Sequence, residues 1–215
     1  CHNGNIVNSQ VLRKNLERTG SIFQSSSDSE ILAHLLYQDS RVTKIEAIKE
    51  SLIYLEGAFA FLILTKDKLY AMRDRHGLRP LSIGTLGDGY AVASETCALD
   101  AVGATFLRDI LPGEIVTIDA EGLHSDFYSK DTQSKICAME YIYFSRPDSD
   151  INGLNVHRSR KEAGRILAKE SPVDADIVIW VPDSSLSAAY GYAEASGIPY
   201  EMGLIKNRYV GRTFI

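Results

Sequence analysis

The sequence predicts an α+β domain followed by the opening of an α/β domain with a parallel sheet, and three observations carry that prediction. Apolar residues recur at helical spacing up to Leu55, short strands punctuated by Gly and Pro fill residues 57–128, and helix alternates with strand after residue 156. A polar run from Ser129 to Lys135 separates the two patterns and reads as a connector, so the domains are drawn at 1–130 and 131–215. A chain of 215 residues has room for a sizeable core in each.

Asn8 is placed to cap a first helix carrying Val11, Leu12 and Leu16, stopped by Gly20. A second helix is expected from Ser27, with Ser27 and Glu30 at capping-box spacing. Asp28 then falls in the first turn, where the helix dipole favours a carboxylate. Ile45, Ile48, Leu52 and Leu55 mark a third helix. At Gly57 the period changes, and Ala58–Leu64 reads as a strand buried on both faces. Shorter strands are expected at 68–73, 80–84, 90–94, 113–119 and 122–128, forming one antiparallel sheet layer. The charged turn from Arg73 to Pro80 predicts a solvated loop around His76. Ser94-Glu95-Thr96 opens a short helix with Cys97 and Leu99 in the core. Beyond the connector, a helix spans about 156–170. A continuous apolar strand, Asp176–Val181, follows, and Pro182-Asp183-Ser184 then turns into an Ala-rich helix whose free N–H groups suit phosphate.

Composition narrows the function classes. A net charge of -5 and a pI near 5.6 show no basic excess, which argues against a general nucleic-acid footprint. No apolar run approaches the ~20 residues that span a bilayer, so no membrane role is expected. Three scattered cysteines, Cys1, Cys97 and Cys137, do not make a disulfide scaffold and agree with the cytoplasm.

The chemistry gathers at Cys1-His2-Asn3-Gly4-Asn5 and Ser27-Asp28-Ser29-Glu30. An Asn-Gly pair in a tight loop can aim a side-chain amide and a backbone N–H at one point, as a developing oxyanion requires. By themselves these motifs are equally a turn and a helix cap. Together with Arg146-Pro147-Asp148-Ser149 and Val181-Pro182-Asp183-Ser184, in this order and spacing, they resemble the glutamine phosphoribosylpyrophosphate amidotransferase family from end to end of the chain.

That resemblance implies an N-terminal-nucleophile glutamine amidotransferase domain, a four-layer αββα fold, followed by a truncated type I phosphoribosyltransferase domain. It implies synthesis of phosphoribosylamine from glutamine and phosphoribosyl pyrophosphate, the first committed step of purine synthesis. Asn3 and Gly4 would form the oxyanion hole, and Asp28 would hold glutamine's α-amino group. Ser184 would contact the pyrophosphate and its Mg2+, or a regulatory nucleotide in the same cleft. Lys206 and Arg208 would contact the phosphate of AMP or GMP acting as feedback inhibitors. Cys137 matches one of the four thiolates that hold a 4Fe-4S cluster in the iron-sulfur branch of the family. The chain is expected to be an internal fragment, with the nucleophilic cysteine upstream of Cys1 and the adjacent acids of the phosphoribosyl signature downstream, inside a dimeric or tetrameric homo-oligomer. Two positions depart from the family pattern: Arg75 stands where Pro is usual, and Ser185 where Gly is frequent. The alternatives are a catalytically incomplete remnant that binds nucleotide or supports assembly, and another glutamine amidotransferase of the same class.

Overall fold

Alternation along β2 (Gly57–Leu64) decides how the first part of the chain is layered. Phe59 and Phe61 face one core, while Ala60 and Leu62 face another. The computed structural model describes residues 1–37 and 43–211, in two units, Cys1–Cys137 and Ala138–Ile215.

In the first unit β2 belongs to a five-stranded antiparallel sheet, in the order β1 (His2–Ile6), β2, β3 (Leu69–Arg73), β7 (Glu114–Asp119), β8 (Gly122–Phe127). The Phe59 face packs on α1 (Ser9–Arg18), α2 (Ser29–Tyr37) and α3 (Lys44–Ile53), which bury Leu16, Ile31, Leu32, Ile48 and Leu52. On the opposite face Ala60, Ala71 and Val116 meet Leu81 and Ile83 of a three-stranded sheet, β5 (Gly89–Ala93), β4 (Ser82–Leu86), β6 (Thr105–Asp109). Gly84 follows Ile83 and so faces away from that core, towards Leu99 of α4 (Thr96–Ala101). Helices, sheet, sheet and helix therefore stack as four layers, where the strand pattern alone suggested one sheet.

Several elements differ from expectation. His2–Ile6 is a strand, not a tight loop, and pairs Asn3 with Ala60 and Gly4 with Phe59. β6 carries no clear apolar alternation and was not expected; Phe106 and Leu107 are both substantially exposed. Val11 is exposed, and Leu16 takes the buried place on α1. The second helix starts at Ser29 instead of Ser27, and Glu30 accepts the N–H groups of Gln24 (2.6 Å) and Ser25 (2.9 Å) instead of closing a capping box. Those bonds draw the Glu30 carboxyl down to about 2. A capping box does form at α3, between Thr43 and Glu46.

The charged turn at 73–80 is the largest departure. Arg73 and Asp74 are each 1 % exposed. The Arg73 guanidinium donates to the carbonyls of Arg79 (2.6 Å), Ile110 (2.6 Å) and Gly77 (2.7 Å). The Asp74 carboxylate accepts the N–H groups of Phe59 (3.2 Å), His76 (2.9 Å) and Leu78 (3.0 Å). Gly77 has φ +58, and a Cβ there would lie 2.9 Å from Pro112 and 3.1 Å from the Arg73 guanidinium, so the turn needs glycine. His76 is consequently half-buried, not solvated, and its Nδ1 is shielded with no hydrogen-bond partner among the described residues.

In the second unit α5 (Val156–Glu170) packs against α6 (Leu186–Ser196) through two reciprocal glycines. A Cβ on Gly164 would lie 1.9 Å from the Ala188 carbonyl oxygen, and one on Gly191 1.9 Å from that of Lys161. Asn155 caps α5 by accepting the Arg158 N–H at 3.1 Å. Ahead of it, Asn152 (φ 49) and Gly153 (φ 75) turn a short hairpin, β9 (Asp150–Ile151) with β10 (Leu154–Asn155). A π-helical turn, Glu140–Phe144, is tied to α5 by buried Arg160, which donates to the carbonyls of Tyr141 and Ser145. The strand expected at 176–181 is reduced to a single parallel bridge between Val178 and Tyr200, and Ile177 and Val181 remain exposed. A strand needs ladder partners on both edges to bury such a run, and the described residues supply one bridge.

Glu114, at the start of β7 and 1 % exposed, joins neighbouring strands electrostatically. It accepts from both terminal nitrogens of Arg108 (2.7 and 2.9 Å), from the Ser125 hydroxyl (2.6 Å) and from the Leu111 N–H (2.7 Å). Burial pushes its carboxyl up, but the bonds from Arg108, Ser125 and Leu111 outweigh this and leave the pKa below the ordinary 4.5. A depressed folded pKa gives stability that is present above the unfolded carboxylate range and lost as pH falls through the folded value. Glu114→Gln should therefore cost about 1.5 to 3 kcal/mol at neutral pH in urea unfolding, and the gap from wild type should close below about pH 4. A gap that stays constant into acid would refute the charged role.

Candidate functional site

Gly4 allows β1 to lie flat on β2. Its φ is +143, and a Cβ would sit 2.0 Å from the Ala58 carbonyl oxygen, so no side chain fits. Asp28, just ahead of α2, reaches back to this strand: one carboxylate oxygen accepts the Ile6 N–H at 2.9 Å and the other lies 3.4 Å from His2 Nδ1. The carboxylate thus touches β1 through the Ile6 backbone and the His2 side chain, at the strand that carries Asn3 and Gly4. About a quarter of the Asp28 side chain stays exposed (24 %), which leaves a face for a ligand.

His2 is stacked on its cross-strand partner Phe61, with ring centroids 4.2 Å apart and planes at 17°. Its Nδ1 is 3.0 Å from the Ser29 hydroxyl. Burial lowers the His2 pKa, with the Asp28 charge opposing, and the net value lies below 6.5. Beside the ring is a cavity of about 230 Å³, lined by residues that include Ser29, Leu32, Leu36 and Ile63. Cys1 is exposed, and its ammonium donates to the Leu62 carbonyl at 2.8 Å.

In the second unit, Trp180, Asp183, Met202, Lys206, Arg208 and Tyr209 are among the residues around an open cleft of about 1030 Å³. Trp180 stacks on Tyr200 at 5.2 Å. Lys206 Nζ lies 2.9 Å from the Asp183 carboxylate. Ser184 is half-buried in the turn ahead of α6 but does not line the cleft, and the residue preceding the helix is Ser185. The Ser185 hydroxyl accepts the Val181 N–H (2.6 Å) and donates to the Val181 carbonyl (2.8 Å). Arg212 lies outside the described residues.

Residues 1–101 match the family described as Glutamine amidotransferase domain. The whole chain is 60% identical to an amidophosphoribosyltransferase of Bacillus subtilis (strain 168), of which it covers 45%. It is 56% identical to one of Staphylococcus aureus (strain MRSA252), covering 44% of that protein. Over its whole length the chain is similar to these amidophosphoribosyltransferases. It spans about half the length of these relatives. Among solved structures it superposes with a TM-score of 0.96, at 60% identity, on the glutamine phosphoribosylpyrophosphate amidotransferase from B. subtilis complexed with ADP and GMP, covering 100% of this chain and 47% of that one. A structure described as the allosteric regulatory enzyme of purine biosynthesis matches with a TM-score of 0.95, again at 60% identity, over 100% of this chain and 46% of the other.

Set beside this family, the residues expected to act fall into two groups. Asn3, Gly4 and Asp28 are brought together along one strand, and Lys206 and Arg208 share one cleft. Ser184 does not line the cleft of its own unit, and among the described residues Cys137 makes no hydrogen bond to β1 or Asp28 in its own. Cys137 is half-buried and donates its backbone N–H to the Leu78 carbonyl at 3.1 Å. Cys1 is exposed, Cys97 is buried in α4, and among the described residues no group of three metal-ligating side chains includes a cysteine. A 4Fe-4S cluster takes four thiolates, and Cys1 and Cys97 are not placed to join Cys137 in supplying them. Nor does Ser184 join a carboxylate set that would fix Mg2+, since the adjacent Asp183 is occupied by Lys206.

The sequence reading passed over His2, although a signal was present. Once residues 2–6 are a strand, period two puts His2 on the same face as Gly4 and buried Ile6. Gly4→Ala should destabilise the first unit by about 1 to 3 kcal/mol or more in urea unfolding, because the clash is with backbone and cannot be relieved by a rotamer change. Unchanged unfolding would show that β1 is not held against β2 at this point.

Proposed function

We propose that the protein carrying this chain is a glutamine-dependent amidophosphoribosyltransferase that makes 5-phosphoribosylamine from glutamine and phosphoribosyl pyrophosphate, opening purine synthesis. The observation that carries this reading is the Asp28 carboxylate bonded to β1, the strand of Asn3 and Gly4, in a chain 60% identical over its whole length to such an enzyme. The carboxylate receives the α-ammonium of glutamine. Asn3 and Gly4 then face the side-chain amide and stabilise the oxyanion formed when a cysteine thiolate attacks it, a contribution of roughly 3 to 4 kcal/mol where such donors have been removed elsewhere. The released ammonia displaces pyrophosphate at C1 of the sugar donor.

The nucleophile in this reading is a cysteine other than Cys1. Cys1 enters β1 directly, its ammonium is tied to Leu62, and the paired strand leaves no slack to fold Cys1 and Asn3 around one carbonyl. The second unit, taken from residue 131, is read as the start of a type I phosphoribosyltransferase domain. The turn at 182–185 meets the pyrophosphate of the sugar donor or a regulatory nucleotide, and Lys206 and Arg208 meet the phosphate of AMP or GMP. The ADP and GMP named for the Bacillus structure support nucleotide binding by such an enzyme. The enzyme is read as a cytoplasmic dimer or tetramer.

Asp28→Asn keeps the shape at the start of α2 and removes the charge. In the full-length enzyme it should raise the KM for glutamine by about tenfold or more while reaction with free ammonia survives; equal loss of both would assign Asp28 to folding alone. For the second unit, the exposed Lys206–Asp183 pair must open before a phosphate can be gripped, so Arg208 supplies the readier bidentate contact. Arg208→Gln should raise the AMP or GMP concentration for half-inhibition by about tenfold, and an unchanged inhibition curve at matched salt would remove Arg208 from the nucleotide site.

A further inference from the structure

We infer that His2 is a positioning residue for glutamine, acting through its Nδ1–H to fix the Asp28 carboxylate that receives the substrate's α-ammonium. The inference rests on the glutaminase reading above. His2 Nδ1 lies 3.0 Å from Ser29 Oγ and 3.4 Å from an Asp28 oxygen. A carboxylate can only accept, so the tautomer that can hold Asp28 is the one with N–H on Nδ1, beside both Ser29 Oγ and Asp28. The ring has little freedom to leave, being 6 % exposed and stacked on Phe61. The other Asp28 oxygen is held by the Ile6 N–H at 2.9 Å. Both oxygens are thus held from opposite ends of β1, and the carboxylate keeps one open direction.

The other end of the imidazole sharpens the inference. Nε2 is buried and has no hydrogen-bond partner among the described residues. Packing alone would favour phenylalanine against Phe61, since a buried lone pair without a donor is a cost. Nδ1 is what distinguishes histidine here. Burial also holds the ring below its ordinary pKa, so it is neutral near pH 7. A neutral donor orients Asp28 without competing, as an imidazolium would, for the negative charge that the α-ammonium needs.

The test uses the full-length amidotransferase, comparing glutamine with ammonia as nitrogen source. His2→Phe keeps the stack and removes the donor, whereas His2→Asn can return an amide N–H near the Nδ1 position. His2→Phe should raise the KM for glutamine about tenfold relative to the ammonia-dependent reaction, and His2→Asn should recover most of that loss. In the double variant His2→Phe with Asp28→Asn, glutamine use should be no worse than in Asp28→Asn alone, because both losses run through one carboxylate. Two losses that multiply, or a His2→Phe enzyme with wild-type glutamine KM, would overturn the positioning role. A parallel fall in ammonia-dependent rate and melting temperature would overturn it in favour of packing. Failure of the glutaminase reading looks different: the unsubstituted enzyme would use ammonia and not glutamine.

Discussion

The first unit depends on the adjacent buried charges Arg73 and Asp74. The chain leaves the five-stranded sheet after β3, crosses through residues 74–81 to the three-stranded sheet, and returns through 110–113 to β7. Arg73 binds carbonyls on both crossings, at Gly77 and Arg79 on one and Ile110 on the other. Asp74 ties the outgoing crossing to β2 through its side chain, and its backbone carbonyl accepts the Gly113 N–H at 3.0 Å. Apart from the Arg108–Glu114 pair, the two sheets meet chiefly through apolar contact, which is strong but non-directional. The two charges add direction, and both side chains are bonded, Arg73 to three carbonyls and Asp74 to three N–H groups. Their effect reaches Tyr128, whose hydroxyl is pushed up in pKa by burial and by the Asp74 charge.

With that frame set, the candidate glutamine site is built on a sheet strand and a helix start instead of on mobile loops. β2 is anchored at Phe59 by Asp74, β1 is registered on β2 by Gly4, and Asp28 is registered on β1 by Ile6 and His2. Each step is a hydrogen bond or a steric exclusion that fixes the next. A ligand arriving there finds the carboxylate and the Asn3–Gly4 segment already oriented, so less binding energy goes into ordering the site. The cleft around Lys206 and Arg208 is different in kind. Its cations sit on exposed backbone, and one is already engaged with Asp183.

Legibility in the sequence followed periodicity. The Phe59–Phe61 strand, the Ile48–Leu52 face of α3 and the bounds of α5 could be read because their apolar spacing matches their secondary structure. β6 could not, since its side chains are largely exposed and carry no alternation. The turn at 73–80 misled because charge usually means solvent, and a buried Arg beside a buried Asp is visible only when the distant carbonyl of Ile110 is brought to it. The candidate site residues Asn3, Gly4 and Asp28 come from the resemblance, while their local structure differs from expectation. Asn-Gly favours turns, and tertiary pairing with β2 overrode that preference. His2 escaped notice for the same reason.

The Asp28 contact has a consequence for the sheet as a material. β1 is the outermost strand among the described residues, and such strands invite edge-to-edge growth because their N–H groups are open to another chain. The Ile6 N–H is already taken by an anionic side chain. Any strand seeking to extend the ladder there would have to dislodge a carboxylate and then sit beside its charge. Among the described residues, the side chain proposed to hold the substrate thus also closes one N–H of this edge to another strand.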